Sequence, residues 1–216
     1  MLYIFPGDKS SCLSITKSKQ LIFPFMTSHS APRGNISAQE ALDRLKEGNS
    51  LFAKHVEYRG DITEERVRDA AINGQHPYAA LVSCSDSRVI PEVIFSAGIG
   101  ELFVIRTAGN VVDDINTMGS LEYAVGHLGC NLIVVLGHTK CGAVAEALNG
   151  FHEDHALRII KEISDGIGDE KDPTKASILN VQNSVRLISE DMGDRDGLKI
   201  IGALYDIETG EVEFFD

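Results

Sequence analysis

Short apolar segments alternate with segments of helical periodicity from about residue 77 to the end of the chain, and this alternation most constrains the fold. The predicted strands are 78–83, 101–106, 131–137, 199–206 and 211–215. The first three are apolar on both faces, which is typical of a parallel sheet covered by helices on both sides. The last two are joined by a short turn, which favours an antiparallel edge strand. We therefore predict an α/β fold with a mostly parallel central sheet of about five strands flanked by helices.

The first 35 residues differ from the rest, and we predict two regions, an N-terminal arm at 1–35 and a catalytic domain at 36–216. The arm holds three of the six prolines and has no clear periodicity. It is expected to be disordered or to pack on a neighbouring subunit, and the alternatives are a cleaved targeting signal or a true start at Met26. Ser37 and Glu40 form a capping box that begins the first helix of the domain.

The acidic balance of the chain argues against several classes of partner. Asp and Glu number 32 against 20 Lys and Arg, and the net charge of −12 repels nucleic-acid phosphates and anionic membrane surfaces. No run of 18 apolar residues is present, so no membrane span is expected. Four cysteines are too few for a disulfide scaffold in a chain of this length. One of them, Cys130, begins an apolar strand and is predicted to be a buried thiol.

Two predicted strands end in unusual polar sequence. The first is followed by Cys84-Ser85-Asp86-Ser87-Arg88 and the third by His138-Thr139-Lys140-Cys141. Ligands bind just past the carboxyl ends of parallel strands, so neighbouring strands would bring these two segments together. Two thiolates and one imidazole bind zinc and leave a fourth position open, as a catalytic zinc requires. We predict one zinc ion (Zn²⁺) per chain, held by Cys84, His138 and Cys141.

The loop after the first strand carries a second feature, a pair of opposite charges. Asp86 and Arg88 are two residues apart and can form a bidentate carboxylate–guanidinium pair. Held by Arg88, the Asp86 carboxylate can accept a hydrogen bond from water at the zinc. Released, it can become a fourth ligand and close the site. The pair is therefore expected to decide between an open and a closed zinc.

These segments are similar to the signature of the β-class carbonic anhydrases, with features of the plant-like subtype. Cys84 and His138 are 54 residues apart, and the resemblance covers roughly residues 37–216. Further matching segments are Gly74-Gln75-x-Pro77, Phe103-Val104-x-Arg106, Gly109-Asn110, Glu122-Tyr123-Ala124-Val125 and Gly202-Ala203-Leu204-Tyr205-Asp206. The chain has no Trp, whereas members of the family with a non-catalytic bicarbonate site usually use one, and this weakens any prediction of bicarbonate inhibition.

The resemblance implies a lyase, a carbonate dehydratase that reversibly hydrates carbon dioxide to bicarbonate and a proton by attack of zinc-bound hydroxide. It implies catalytic roles for Asp86 and Arg88. It also implies substrate contacts from Gln75, Phe103, Tyr123 and Gly142. A zinc ion with three histidine ligands is the familiar case of such water activation. Two thiolates donate more charge than histidines do, so activity is expected to rise toward mildly alkaline pH.

The resemblance also implies a homo-oligomer, a dimer or a larger assembly, with the active site between subunits. Gln75, Phe103 and Tyr123 would then act on the zinc of a neighbour. The sequence identifies no proton shuttle, and the candidates are His76, His127, His152 and His155. A cytoplasmic location is expected, because thiolate ligands must stay reduced.

Three other functions remain open at this stage. The same site can act on a sulfur analogue, carbonyl sulfide or carbon disulfide, and no single residue separates the two activities. A non-catalytic zinc-binding regulatory protein should lack Asp86, Arg88 or the open position. A thiol redox protein usually needs Cys-x-x-Cys, whereas the spacing here is His-x-x-Cys.

Overall fold

The computed structural model describes residues 36–56, 58–112, 114–150 and 157–215, so the arm predicted at 1–35 lies outside the described residues. The helices are α1 (Ala38–Ala53), α2 (Glu64–Asn73), α3 (Pro91–Ile94), α4 (Ile115–Gly126), α5 (Gly142–Asn149), α6 (Leu157–Ile167) and α7 (Pro173–Met192). The strands are β1 (Ala79–Cys84), β2 (Leu102–Thr107), β3 (Leu132–His138), β4 (Lys199–Tyr205) and β5 (Val212–Phe215). A short 3-10 turn at Ala108–Asn110 follows β2.

The five strands form one sheet in the order β2-β1-β3-β4-β5. The pairs among β1 to β4 are parallel, and β5 runs antiparallel to β4. The predicted α/β fold with an antiparallel edge strand is therefore confirmed. Because β1 lies beside β3, with Ser83 opposite Leu136, the carboxyl ends of these two strands are neighbours.

Helices cover both faces of the sheet, as strands with two apolar faces require. Every residue of β1 and β3 is buried. On one face, α1 and α3 contribute Leu45 and Ile94 to the core. On the other face, α4 and α7 contribute Leu121, Val181 and Ile188. The two cores hold the central strands, and therefore their carboxyl ends, in a fixed position.

Helix α1 begins after the predicted cap residue Ser37, with one of the two hydrogen bonds of a capping box. The Glu40 backbone N–H donates to Ser37 Oγ at 3.2 Å, while the Glu40 carboxylate accepts from Arg44 at 2.9 Å. Among the residues that the structure describes, no helix has both the length and the apolar character that a bilayer span needs.

Helix α7 approaches β3 closely at Gly137, the residue before His138. A Cβ atom at this position would lie 2.4 Å from Val181 Cγ2, which is far inside van der Waals contact. The absence of a side chain at Gly137 therefore allows α7 to pack directly beside the end of β3.

Candidate metal centre

Three buried side chains converge at the carboxyl edge of the sheet. Their ligand atoms, the sulfurs of Cys84 and Cys141 and a ring nitrogen of His138, all lie within 4.8 Å of one another. Strand β1 ends at Cys84, β3 ends at His138, and Cys141 is the N-cap residue of α5. Lys140, with a φ of 56° in the left-handed region, turns the chain between His138 and Cys141. The structure thus brings together the three residues that the sequence predicts as ligands.

The imidazole of His138 is oriented for metal binding. Its Nδ1 lies 2.9 Å from the carbonyl oxygen of Thr139, and since a carbonyl only accepts, Nδ1 carries the proton. Nε2 therefore has a free lone pair. Within the described part of the chain this buried nitrogen has no hydrogen-bond partner, which is costly for a buried polar atom. Together with two thiols, an unsatisfied imidazole nitrogen is a donor set that fits zinc.

The environment of the two thiols favours one thiolate before any metal binds. A hydrogen bond from the Cys141 thiol lowers the pKa of Cys84, although burial opposes the shift. Backbone N–H groups of Asp86 and Gly109 also donate to Cys84 Sγ, at 3.4 and 3.3 Å. The same hydrogen bond to Cys84, together with burial, raises the pKa of Cys141. Thiolate is the form that binds metals, so Cys84 is prepared as a ligand.

Asp86 and Arg88 form the predicted bidentate pair beside these ligands. Arg88 Nε donates to Asp86 Oδ1 at 2.9 Å, its terminal nitrogen donates to Oδ2 at 2.6 Å, and its backbone N–H also donates to Oδ1. The guanidinium of Arg88 thereby holds the pKa of the Asp86 carboxyl well below its usual range. Asp86 Oδ2 lies 3.9 Å from His138 Nε2. Arg88 also donates to the Lys140 carbonyl at 3.1 Å, which joins the two ligand loops.

Arg106 holds the loop that carries Cys84 and Asp86, a role that the sequence analysis missed. Its guanidinium donates to the carbonyl oxygens of Cys84 (3.2 and 3.3 Å), Asp86 (2.7 Å) and Val89 (2.9 Å). The sequence offered Arg106 only as part of a family motif. Every residue has a backbone carbonyl, so contacts to carbonyls do not require particular residue types. The sequence therefore gave no other indication of these contacts.

Three predicted substrate-binding residues lie away from the metal centre of their own chain. Gln75 precedes β1 and lies near the amino ends of the strands, whereas Cys84 lies at the carboxyl end of β1. Phe103 lies four residues before Thr107, the register partner of Cys84, which corresponds to about 13 Å along the strand. The Tyr123 side chain is 46% exposed and its ring centroid is 6.2 Å from that of Phe103. A single chain does not bring these three residues to its own metal ligands.

The remaining predicted residues are distributed between the metal centre and the surface. Gly142 begins α5 next to Cys141, and a Cβ at Gly142 would meet nothing within 4 Å. Of the candidate proton shuttles, His76 is exposed at the amino edge of the sheet, and His127 stacks on the Tyr123 ring at 5.1 Å. The other two candidates, His152 and His155, lie outside the described residues.

Cys130, by contrast, is a core residue without a role in this site. Its side chain is 1% exposed, and its sulfur donates to the Pro77 carbonyl at 3.5 Å. Burial raises its pKa to about 12, so it stays a neutral thiol at physiological pH. The prediction of a buried Cys130 is confirmed.

Comparison with known proteins identifies relatives of this arrangement. The family profile of carbonic anhydrase matches residues 79–212, a segment that includes both ligand loops. Carbonic anhydrase 2 of Mycobacterium tuberculosis is 45% identical over 120 residues, which are 55% of this chain and 56% of that protein. The carbonic anhydrase of Synechococcus elongatus is 33% identical over 164 residues, 64% of this chain and 60% of that protein. The matched part therefore spans less than two thirds of the length of these relatives.

Solved structures extend the similarity to most of the chain. A β-carbonic anhydrase of Aspergillus fumigatus superposes with a TM-score of 0.62 at 26% identity, covering 82% of this chain and 90% of that one. One of two tetrameric β-carbonic anhydrases of Sordaria macrospora gives a TM-score of 0.60 at 28% identity, covering 82% and 95%. Since the family profile matches more than half of the sequence and these folds agree, the chain belongs to the β-carbonic anhydrase family.

Proposed function

We propose that this protein is a zinc-dependent carbonic anhydrase, which reversibly hydrates carbon dioxide to bicarbonate and a proton. The observation that carries the proposal is the convergence of Cys84, His138 and Cys141 within 4.8 Å, beside a carboxylate whose oxygen is 3.9 Å from His138 Nε2. The names of the relatives support the same reaction.

The three buried side chains are the proposed zinc ligands, one ion per chain. A zinc ion bound there supplies the Lewis acidity that makes water nucleophilic near neutral pH. With only three protein ligands, a bound zinc ion would keep room for a reacting water. The Thr139 carbonyl fixes the tautomer of His138, and backbone N–H groups stabilise the sulfur of Cys84.

Asp86 is the proposed orienting residue and Arg88 the residue that restrains it. The low pKa of Asp86 keeps its carboxylate ionised, so it would act as a hydrogen-bond acceptor toward a water held beside the three ligands. Arg88 contacts both oxygens of that carboxylate. This pairing holds Asp86 as a neighbour of the metal and opposes its use as a fourth ligand.

The substrate pocket is proposed to form between subunits of a homodimer or a dimer-based oligomer. Gln75 would donate its amide to a substrate oxygen, while Phe103 and Tyr123 would supply an apolar surface. Their distance from the metal ligands of their own chain and the exposure of Tyr123 support this arrangement. Gly142, next to Cys141, is the proposed contact from the metal's own chain, and a cytoplasmic location is proposed because the thiols must stay reduced.

The decisive experiment is stopped-flow hydration of carbon dioxide by purified protein whose zinc content has been measured, at pH 6.5–9. Fast hydration is expected for the native chain, rising with pH because two thiolate ligands weaken the acidity of the zinc site. Cys141→Ser should lose zinc and hydration together. The matched control is Cys130→Ser, a buried cysteine outside the centre, which should keep both.

Other results would redirect or overturn the proposal. A rate that is constant from pH 6.5 to 9 would contradict the expected pH dependence. If the protein binds one zinc per chain but hydrates no carbon dioxide at any pH, the proposed carbonic anhydrase activity is wrong. Hydrolysis of carbonyl sulfide or carbon disulfide would then identify a sulfur-analogue enzyme. No turnover of any of these substrates would identify a non-catalytic zinc-binding protein.

A further inference from the structure

A buried contact connects helix α7 to the candidate metal centre through Gly109. The carbonyl oxygen of Gly109 accepts a hydrogen bond from Asn180 Nδ2 at 2.8 Å, and its N–H donates to Cys84 Sγ at 3.3 Å. Both contacts are shielded from solvent, and the Asn180 side chain is 1% exposed. A residue of α7 thus reaches a metal ligand that lies nearly a hundred positions earlier in the chain.

The 3-10 turn that carries Gly109 departs from regular helical geometry. Gly109 has a φ of 64° and Asn110 has a φ of 51°, so two successive residues adopt the left-handed conformation. Such a conformation at Asn110 persists only when surrounding contacts fix it. Helix α7 supplies two of these contacts, from Asn180 to the Gly109 carbonyl and from Ser184 Oγ to the Asn110 carbonyl at 3.1 Å. Residues four apart lie on one face of a helix, so both donors face the turn together.

Packing from the other side leaves the turn little room to move. A Cβ atom on Gly109 would lie 2.7 Å from Ile163 Cδ1 and 3.2 Å from Ala143 Cβ. Helices α6 and α5 therefore pack closely against the turn, while α7 donates hydrogen bonds to two of its carbonyl oxygens. Three helices therefore set the position of the Gly109 N–H. Asn180 of α7 contributes a hydrogen bond to Gly109 itself.

We propose that Asn180 is a positioning residue for the metal centre, which fixes Gly109 so that its N–H donates to the Cys84 sulfur. This inference rests on the proposed zinc ligands. An N–H donor draws charge from a thiolate, which changes the energy of its charge-transfer absorption, and it also holds the sulfur in the orientation that a metal needs, so its loss is expected to weaken metal binding. Residues that orient ligands in this way usually change metal affinity by about 10- to 100-fold when they are replaced.

The test uses cobalt(II) in place of zinc, because cobalt bound to a thiolate has a near-ultraviolet charge-transfer absorption that depends on the donor strength of the sulfur. Asn180→Leu removes the donor. Asn180→Asp keeps nearly the same shape but places a hydrogen-bond acceptor against the Gly109 carbonyl. This second variant tests the proposal if Asn180→Leu fails to fold. Each is expected to shift this absorption and to raise the cobalt dissociation constant by about 10- to 100-fold in competition with a chelator.

The matched control is Ser177→Ala, which removes a buried polar group of the same helix. Ser177 Oγ donates only within α7, to the Pro173 carbonyl at 2.9 Å, so the control should keep the native absorption and affinity. Native absorption in both Asn180 variants overturns the positioning role, as does weaker binding with an unshifted absorption. If the native chain itself binds cobalt without thiolate absorption, the proposed ligand set fails instead.

Discussion

At the scale of single residues, the Asp86 carboxylate is controlled by its neighbour Arg88. Three hydrogen bonds from Arg88 reach the two carboxylate oxygens, and a further one joins Arg88 to the Lys140 carbonyl. The carboxylate is only 3.9 Å from the unsatisfied nitrogen of His138, so a small rotation would bring it to a metal. The guanidinium therefore restrains the Asp86 carboxylate, as the proposed role of Asp86 in orienting water requires.

Removal of this restraint should lower the proposed turnover without removing the metal. In Arg88→Ala, the Asp86 carboxylate loses its partner, its pKa rises toward the ordinary value, and it can occupy the open position of the zinc. Turnover is expected to fall on the order of tenfold or more, with one zinc retained per chain. The measurement is stopped-flow hydration combined with zinc analysis.

The control for this variant is Arg186→Ala. Arg186 makes a similar pair with both oxygens of Glu190, at 2.8 and 2.7 Å, on the exposed face of α7. Its removal should leave turnover unchanged. Native turnover in Arg88→Ala would show that Asp86 needs no restraint, and loss of zinc would show that Arg88 holds the ligand loops instead.

At the scale of elements, the first three strands were predictable from their apolar sequences and the last two from the short turn that joins them. The bounds of the first three differ by one residue from those expected, since backbone pairing continues through Cys84, Thr107 and His138. The three proposed ligands and the Asp86–Arg88 pair also followed from residue types at strand ends. The carbonyl contacts of Arg106 and Asn180 did not, because any residue supplies a carbonyl and only the folded chain brings the partners together.

The close contact between α7 and β3 gives a test of element packing. Gly137→Ala places a Cβ 2.4 Å from Val181 Cγ2, so the strand or the helix must move beside His138. The free energy of unfolding should fall by about 1–3 kcal/mol, as for other overpacked cores. Urea denaturation of the zinc-loaded protein measures this change.

A second glycine in open space provides the comparison. Gly119 lies inside α4, and a Cβ there would meet nothing within 4 Å. Gly119→Ala should therefore be stabilising by about 0.5–1 kcal/mol, the usual gain for a helix interior. Equal stability of the two variants would mean that α7 and β3 adapt without cost.

At the scale of the whole molecule, the separation of Gln75 from Cys84 within one chain predicts complementation between two inactive variants. Gln75→Leu keeps the metal ligands, and Cys84→Ser keeps Gln75. A mixed dimer contains one centre with a complete ligand set and a partner that supplies Gln75. Hydration should therefore return in mixed dimers purified through two different affinity tags, whereas each variant alone stays slow.

Two results would contradict this arrangement. Mixed dimers that remain as slow as Gln75→Leu alone would place Gln75 in the same active site as its own Cys84. A Gln75→Leu protein with native turnover would remove Gln75 from the mechanism. Neither result would contradict the proposed zinc ligands, because the variants are compared at measured zinc content.

Removal of the metal should lower the stability of the whole domain. A ligand that binds only the folded chain adds about 2.7 kcal/mol when its free concentration is a hundred times the dissociation constant. The melting temperature should thus fall on chelation and return when zinc is added. Cys84→Ser is the control, since its melting temperature should respond weakly to either treatment. An unchanged native melting temperature would argue against a metal bound to the folded state.

The distribution of the ligands along the chain also has a consequence for biosynthesis. His138 and Cys141 belong to one turn, but Cys84 joins them only when β1 has paired with β3. These two strands are neighbours in the sheet but are separated in the sequence by β2 and α4, among other segments. A ribosome must therefore release the segment through Cys141 before the centre can assemble. Until β1 and β3 pair, the chain offers only the two-ligand half-site of His138 and Cys141 or the single thiol of Cys84. Metal loading is expected to be a late step of maturation, following the assembly of the sheet.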